Sequence, residues 1–176
     1  MGKLYVAYGS NLNMEQMKGR CPGSVFLGTG VIENYELQFK GSLHGAHATI
    51  APKEGSAVPV GLWMIGRVDE MNLNHYEGYR PKGYCYYDKE QIPVKMANGK
   101  TVTGMVYIMD RMKDFGIPSP SYYHTVRQGY RWLLSVVQTD HCHLPDGIHA
   151  DHTAVPGHDD LPDKHAAGSG DHAGGK

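Results

Sequence analysis

Tyr8-Gly9-Ser10-Asn11-Leu12 is the most informative segment of this sequence, and it closes the short apolar run Leu4–Tyr8. A β-rich run that stops at Gly-Ser-Asn before a helix-forming segment predicts a strand, a tight turn and a helix start. Gly9 permits backbone torsions that other residues resist, and Ser10, Asn11 or Asn13 can cap the helix. Consecutive exposed N–H groups at such a turn form a concave donor site for an anion such as a carboxylate. An ordinary strand–helix turn with a polar cap is an equal alternative from the spacing alone.

The rest of the first 138 residues is rich in strand signals. Short runs of Val, Ile, Tyr and Thr, separated by Gly, Pro or Asn-Gly, predict six strands. Asn98-Gly99 predicts a hairpin with a type I′ turn, which needs positive φ at both central residues. The predicted strands are Lys3–Tyr8, Gly30–Lys40, Ala46–Ala51, Val58–Val68, Tyr84–Val94 and Thr101–Met109.

Helix signals are fewer. Two short helices are predicted, Asn13–Lys18 and Asp69–Tyr76, the second with Asp69 as its cap. A longer one is predicted from Ser119 to about Val137, because caps and a first-turn proline precede apolar residues spaced close to 3.6 apart. Strands interleaved unevenly with few helices predict an α+β fold, either a curled mixed sheet or a small barrel.

The composition changes at about residue 139. Residues 1–138 carry 15 Lys and Arg against 11 Asp and Glu, whereas residues 139–176 carry 2 Lys against 7 Asp. Seven of the eleven histidines lie in this second segment, where large apolar residues are nearly absent. A segment of this kind cannot bury enough surface to offset its conformational entropy, so residues 139–176 are predicted to be a disordered tail after a single domain, 1–138.

Several protein classes are disfavoured. The charge balance is too small for a clustered basic face, so we expect no nucleic-acid partner. No apolar stretch approaches the roughly 18 residues that span a bilayer, and no secretory signal is evident, so no membrane partner is expected. Three cysteines without CxxC spacing argue against a disulfide framework and a thiolate metal site. A reduced cytoplasmic protein is the simplest interpretation.

Glu77 is the most informative ionisable residue. A short helix that ends at Gly78 leaves Glu77 at its C-terminal end, where the helix dipole disfavours a carboxylate. Partial burial beside Tyr76 and Tyr79 would raise the pKa of Glu77 above its reference of about 4.3. A carboxyl group tuned towards neutrality suits general acid/base chemistry, and a solvated glutamate at a helix end is the plainer alternative.

Three segments in register resemble the γ-glutamylcyclotransferase-like family, which includes the AIG2-like proteins and the γ-glutamylamine cyclotransferases. These are the Tyr8–Leu12 turn, Glu77-Gly78-Tyr79 about seventy residues later, and Pro118-Ser119-Pro120-Ser121-Tyr122 at the last helix. Arg20-Cys21-Pro22 and Gly61-Leu62-Trp63 add to the resemblance, which covers about residues 3–135.

The resemblance implies a small mixed β-barrel with flanking helices and a cavity at one end. It also implies cleavage of a γ-glutamyl amide by the substrate's own α-amino group, which gives 5-oxoproline and a free amine or amino acid. Glu77 matches the catalytic acid/base of the family, and Tyr8, Gly9, Ser10, Asn11 and Leu12 match the loop that holds the substrate. Tyr84 and Tyr122 match substrate-contacting tyrosines. Such a ring closure is intramolecular, so no cofactor, metal or protein nucleophile is expected.

Two points limit what the resemblance implies. The family often reads Glu-Gly-Tyr-Pro, whereas Arg80 stands before Pro81 here and alters the expected rim of the pocket. The part of the fold that contacts the leaving group is the least constrained, so the resemblance does not imply which substrate is used. A binding protein that holds a small anion or metabolite in the same cavity without turnover is the alternative function, since a donor-rich turn holds an anion whether or not chemistry follows.

The histidine-rich tail raises a separate possibility. Asp140, His141 and His143, followed by further His and Asp, are ligand types that Zn²⁺, Ni²⁺ or Cu²⁺ accept. An unstructured tract of this kind can bind divalent ions loosely without a defined site. Loose metal binding by the tail and the absence of any metal role are both left open.

Overall fold

The computed structural model describes residues 2–141, which form a closed five-stranded barrel with three helices. A single 3-10 turn, Ser10–Leu12, connects the first strand to the first helix. The predicted α+β class and the small mixed barrel are confirmed. The elements are β1 Lys3–Ala7, α1 Met14–Arg20, β2 Val25–Lys40, β3 His47–Ile65, α2 Arg67–Tyr76, β4 Tyr87–Met96, β5 Thr101–Met109 and α3 Pro120–His141.

The barrel runs in the order β1-β3-β2-β4-β5 and is closed by a parallel pairing of β1 with β5. Alternate residues of each strand face opposite sides, as the pleat requires. Val6 and Val106 belong to the core inside the barrel, whereas their neighbours Tyr5 and Met105 belong to a second core outside it. Because successive side chains of a strand point to opposite faces, the same strands contribute to both cores.

The outer core attaches the helices to the barrel. Each helix contributes one fully buried apolar side chain: Met17 from α1, Leu73 from α2 and Leu133 from α3. Leu12 of the 3-10 turn is buried among them. Burial of a Leu or Met side chain contributes about 2 kcal/mol, so these few contacts fix the turn and the helices against the strands.

Two predicted strand details are wrong. Most of Ala46–Ala51 and Val58–Val68 belongs to one strand, β3, because Asn34 of β2 and Gly55 of β3 both adopt positive φ and form a bulge instead of a break. β3 ends at Ile65, and the last two residues of the second predicted strand begin α2 instead. The Asn34 side-chain oxygen accepts the N–H of Gly55 at 3.1 Å across this bulge. The hairpin at Asn98-Gly99 is present, but only Gly99 has positive φ, so the turn is not type I′.

Three predicted boundaries also shift. β4 begins at Tyr87, which leaves Tyr84 in the preceding loop. The cap of α2 is Gly66 and not Asp69, which lies in the first turn. α3 continues to His141, past the predicted helix end at about Val137. The rest of the predicted tail lies outside the described residues.

The C-terminus of α2 places Glu77. Gly78 has φ +65°, the left-handed conformation that ends many helices, and the Gly78 and Tyr79 N–H groups donate to the His75 and Asn74 carbonyls. These two bonds form a Schellman motif, which reverses the chain directly after Glu77. A glycine at this position therefore sets the direction in which the Glu77 side chain leaves the helix.

Asp69 connects the start of α2 to the loop after α1, and its loss is expected to destabilise the fold. The buried carboxylate accepts the Gly66 N–H at 3.1 Å and the Gly23 N–H at 3.2 Å. Asp69→Ala leaves both N–H groups without this acceptor, so we expect a loss of about 3 kcal/mol in the free energy of unfolding, measured with urea.

Two variants check this prediction. Asp69→Asn keeps one carbonyl oxygen and should fall between wild type and Asp69→Ala. Asp88→Asn removes a carboxylate from an exposed position of β4 and should stay within about 0.5 kcal/mol of wild type. Equal stability of Asp69→Ala and wild type would show that the two hydrogen bonds do not contribute.

Candidate active site

A cavity of about 310 Å³ lies where the Ser10–Leu12 turn faces the C-terminal end of α2. It brings together residues that are far apart in the sequence and come from strands, helices and loops. Of the residues predicted to form the site, six line this cavity: Tyr8, Gly9, Ser10, Asn11, Glu77 and Tyr122.

Asn11 connects the turn directly to Glu77. Its side-chain Nδ2 donates to Glu77 Oε1 at 3.0 Å and to the Tyr5 hydroxyl at 2.7 Å. Its Oδ1 accepts from the guanidinium of Arg20, which also donates to Ser10 Oγ at 3.0 Å. The guanidinium therefore fixes which way the Asn11 amide points, and the amide fixes the Glu77 carboxyl group.

Burial raises the pKa of Glu77 from 4.5 to about 7, although the positive charge of Arg20 and the hydrogen bond from Asn11 act in the opposite direction. Desolvation dominates because the carboxylate sits among tyrosine rings and forms no ion pair with any residue that the structure describes. Glu77 therefore exchanges a proton near neutral pH, as a general acid/base requires.

Residues of the 3-10 turn and the glycine before it line the cavity. Leu12 and Asn13 donate their N–H groups back to Gly9 and Ser10, whereas the first N–H groups of such a turn have no acceptor within it. Gly9 has a negative φ of −111°, so the turn does not use the left-handed freedom of glycine. A Cβ at position 9 would instead lie 3.3 Å from Ala48 Cβ and 3.7 Å from the Tyr122 hydroxyl, which would narrow the cavity.

Burial keeps four tyrosine hydroxyls of the cavity protonated. Burial raises the pKa of Tyr122 to about 12 and moves the pKa of Tyr5, Tyr8 and Tyr87 well above the usual value, with a further contribution from the Glu77 charge in each case. Several hydroxyls are held by the backbone: Tyr8 donates to the Tyr107 carbonyl at 2.5 Å and Tyr87 to the Ala48 carbonyl at 2.7 Å. These tyrosine hydroxyls are therefore neutral dipoles with fixed orientations around the Glu77 carboxyl group, which titrates.

Two predicted site residues lie elsewhere. Tyr84 is 67% exposed, outside the cavity, with the Lys113 ammonium 5.0 Å above its ring. The loop after Gly78 closes through a hydrogen bond from the Tyr86 N–H to the Gly78 carbonyl, so the chain returns to the cavity two residues later than expected. Leu12 is fully buried in the outer core and supports the turn from behind.

The sequence analysis missed part of the cavity wall. Tyr5 and Tyr107 come from β1 and β5, whose parallel pairing closes the barrel, and this pairing has no local sequence signal. Arg20 was noted only as part of a motif, although its spacing from Ser10 across a seven-residue helix was a usable signal. The missed side chains that line the cavity are Tyr5, His47, Tyr76, Tyr86, Tyr87 and Tyr107.

Other predicted features concern metals and membranes. Within residues 2–141, no three His, Cys, Asp or Glu side chains come together as a metal site. The tail residues for which loose divalent metal binding was considered lie outside the described residues, so that binding stays a prediction. Among the described helices, none is both long and apolar enough to cross a membrane.

Comparison with known proteins agrees with the fold. A family model described as "Gamma-glutamyl cyclotransferase, AIG2-like" matches residues 5–130. Over 133 residues the chain is 30% identical to gamma-glutamylcyclotransferase of Mus musculus and 29% identical to that of Homo sapiens, which covers 72% of this chain and 69% of each relative.

Two solved structures share the fold. One, named gamma-glutamyl cyclotransferase, superposes with a TM-score of 0.69 at 23% identity and covers 87% of this chain and 94% of that one. The other, an uncharacterised protein from Homo sapiens, gives 0.68 at 25% identity and covers 86% and 94%. With the family model matching most of its length, the chain belongs to the gamma-glutamyl cyclotransferase, AIG2-like family.

Proposed function

We propose that this protein is an enzyme that cyclises a γ-glutamyl amine or peptide to 5-oxoproline and releases the amine or amino acid. The observation that carries the proposal is the hydrogen bond between Asn11 and Glu77, which joins a carboxyl group with a pKa of about 7 to the Ser10–Leu12 turn. The family and the two relatives named gamma-glutamylcyclotransferase support the same reaction.

Glu77 moves the proton in this mechanism. The ionised carboxylate accepts a proton from the α-ammonium group of the substrate, and the freed amine attacks the γ-carbonyl carbon to form the five-membered ring. The same carboxyl group then donates that proton to the departing nitrogen as the γ-amide bond breaks. The ring nitrogen gives its second proton to the released amine, so the products are a neutral lactam nitrogen and an ammonium ion. Both partners of the new bond belong to one molecule, so the protein supplies a folded pose and a proton carrier.

The Tyr8–Asn11 segment stabilises the charge that develops on the γ-carbonyl oxygen. Backbone N–H groups at the start of the 3-10 turn are fixed before the substrate arrives, so they need no reorganisation during the reaction. One well-placed donor of this kind contributes about 3 kcal/mol to transition-state stabilisation. The neutral tyrosine hydroxyls around Glu77 position the polar groups of the substrate without adding a competing charge.

The direct test is product formation. Wild-type protein is incubated with a panel of γ-glutamyl amines, amino acids and peptides, and 5-oxoproline is quantified against Glu77→Gln. Product from wild type alone supports the proposal. A ligand that raises the melting temperature of both proteins equally, with no 5-oxoproline from any substrate, would instead favour the non-catalytic binding protein.

The pH dependence of kcat/KM is expected to follow Glu77. The carboxylate must be ionised to accept the first proton, so kcat/KM should rise about tenfold per pH unit below pH 7 and level off above it. Arg20 lowers the pKa of Glu77, so Arg20→Gln should move this rising limb to higher pH. The measurement is the midpoint of the limb and not the absolute rate.

Arg20→Lys separates charge from hydrogen bonding. Lysine keeps the positive charge but not the forked donors to Ser10 and Asn11, so the midpoint should stay near that of wild type while the rate falls. A midpoint that does not move in Arg20→Gln would show that Arg20 does not control the proton affinity of Glu77.

A further inference from the structure

His47 lies in the cavity wall, and one of its ring nitrogens, Nε2, has no hydrogen-bond partner within residues 2–141. Its Nδ1 is hydrogen-bonded to the Tyr86 hydroxyl at 3.1 Å, and its ring packs edge-on against Tyr122 with the centroids 4.8 Å apart. Among the described residues, no hydrogen bond involves Nε2. Two aromatic neighbours therefore hold the ring in place and leave one nitrogen for a ligand.

Tyr86 lies between His47 and Gly78, the residue after Glu77. A Cβ on Gly78 would lie 3.1 Å from Tyr86 Cβ, whereas the hydroxyl at the other end of this side chain meets His47. Gly78 and His47 therefore contact opposite ends of the Tyr86 side chain. The charge of Glu77 raises the pKa of Tyr87 and Tyr122. The pKa of His47 is lowered by burial alone, which agrees with a position of His47 at the end of the cavity that is far from Glu77.

Only one part of a γ-glutamyl substrate reaches that far end. The α-carboxylate is bonded to the carbon that carries the attacking amine, so it stays beside the reacting atoms at Glu77. The leaving group extends away from the γ-carbonyl carbon and has no fixed length. If the substrate is the one proposed above, on which this step rests, the leaving group is what approaches His47.

We propose that His47 is a specificity-determining residue whose Nε2 hydrogen-bonds a polar group on the leaving amine. Amines that carry a hydroxyl or amide group are then preferred to alkyl amines of the same length. Burial lowers the pKa of His47, so the ring is neutral at pH 7 and offers a hydrogen bond and not a charge. A single neutral hydrogen bond corresponds to a preference of about three- to tenfold in kcat/KM.

Matched pairs of leaving groups test the proposal. Each pair has one γ-glutamyl amino alcohol and one γ-glutamyl alkylamine with the same number of heavy atoms, such as ethanolamine with propylamine and 3-aminopropanol with butylamine. For each pair the ratio of kcat/KM is measured in wild type, His47→Gln, His47→Asn and His47→Phe. The amide nitrogen of Gln approximates the position of Nε2, whereas that of Asn approximates Nδ1.

Wild type and His47→Gln should prefer the amino alcohol by about three- to tenfold at one chain length or more, and His47→Asn and His47→Phe should lose this preference. A purely structural role of His47 would lower the rates for both members of a pair and leave their ratio unchanged. The same ratio in all four proteins would therefore overturn the assignment, while the 5-oxoproline formed would leave the proposed function intact.

Failure of the proposed function gives a different result. If no substrate yields 5-oxoproline, the paired compounds are titrated by calorimetry into Glu77→Gln with and without His47→Asn. A preference for the amino alcohol that disappears with His47→Asn would keep His47 as a ligand-selecting residue of a binding cavity. Equal binding of both members, or binding of neither, would overturn the assignment as well.

Discussion

Glu77→Gln should abolish the formation of 5-oxoproline and at the same time stabilise the protein above pH 7. The amide keeps the shape of the side chain and an oxygen that accepts from Asn11, but it carries no proton between the α-ammonium group and the leaving nitrogen. Loss of a general acid/base typically costs between about 100- and 10,000-fold in rate. The loss should appear in kcat, measured as 5-oxoproline released at saturating substrate.

The stability effect follows from the sign of the pKa shift. Folding raises the pKa of Glu77 from 4.5 to about 7, so the folded protein holds its proton more tightly than the unfolded chain does. The free energy of unfolding is therefore greatest below pH 4.5 and falls as the pH rises through 7, by at most about 3 kcal/mol. Glutamine does not ionise, so the variant escapes this loss.

Unfolding in urea at several pH values checks the second half of the prediction. The difference in stability between Glu77→Gln and wild type should be smallest near pH 4.5 and grow up to about pH 8. Glu54→Gln removes a carboxylate from an exposed position of β3 and should show neither the loss of activity nor the gain in stability. A Glu77→Gln protein that turns over normally, or one that is less stable than wild type at pH 8, would contradict the assignment.

The two central parts of the site, Glu77 and the Gly-Ser-Asn turn, could be predicted from the sequence. Glu77 lowers the stability that the fold would otherwise have, and such a residue is conspicuous in its local sequence. A glutamate followed by a helix-ending glycine is an unfavourable place for a carboxylate, and the conflict is visible locally. The Gly-Ser-Asn turn after a strand is equally local. The family resemblance implied that both segments contribute to one site. The structure adds that Asn11 joins them, with its Nδ2 3.0 Å from Glu77 Oε1.

The remaining wall could not be predicted because it depends on pairings between distant strands and on one loop closure. Tyr84 and Tyr86 are equally plausible in the sequence, and the bond from the Tyr86 N–H to the Gly78 carbonyl decides between them. His47 faces the cavity only because β3 begins there, at a position that depends on its pairing with β2. Interactions of this kind have no periodicity that a single sequence reveals.

Gly129, in the middle of α3, has no space for a Cβ atom. Alanine normally stabilises a helix interior by about 1 kcal/mol relative to glycine. Here a Cβ would lie 2.5 Å from Leu12 Cβ and 2.8 Å from both the Leu12 carbonyl carbon and the Asn13 nitrogen. Two of these atoms are backbone, so α3 or the Ser10–Leu12 turn must shift to admit the methyl group.

We therefore expect Gly129→Ala to lower the free energy of unfolding by about 1–3 kcal/mol, since overpacking outweighs the gain in helix propensity. The turn that moves also carries Asn11 and the backbone donors, and a displacement of about 1 Å in such groups can cost 100-fold in rate. The measurements are urea unfolding and kcat/KM at a temperature where the variant is fully folded.

Gly19→Ala is the matched control, because Gly19 also lies in a helix but has no atom within 4 Å of the position that its Cβ would take. This variant should be as stable as wild type or up to about 1 kcal/mol more stable, with unchanged activity. Opposite signs for the same substitution in two helices would show that α3 is pressed against the turn and holds the backbone donors in place. A Gly129→Ala variant that is more stable than wild type and fully active would contradict this prediction. It would show that β1 and α1 position the Ser10–Leu12 turn without α3.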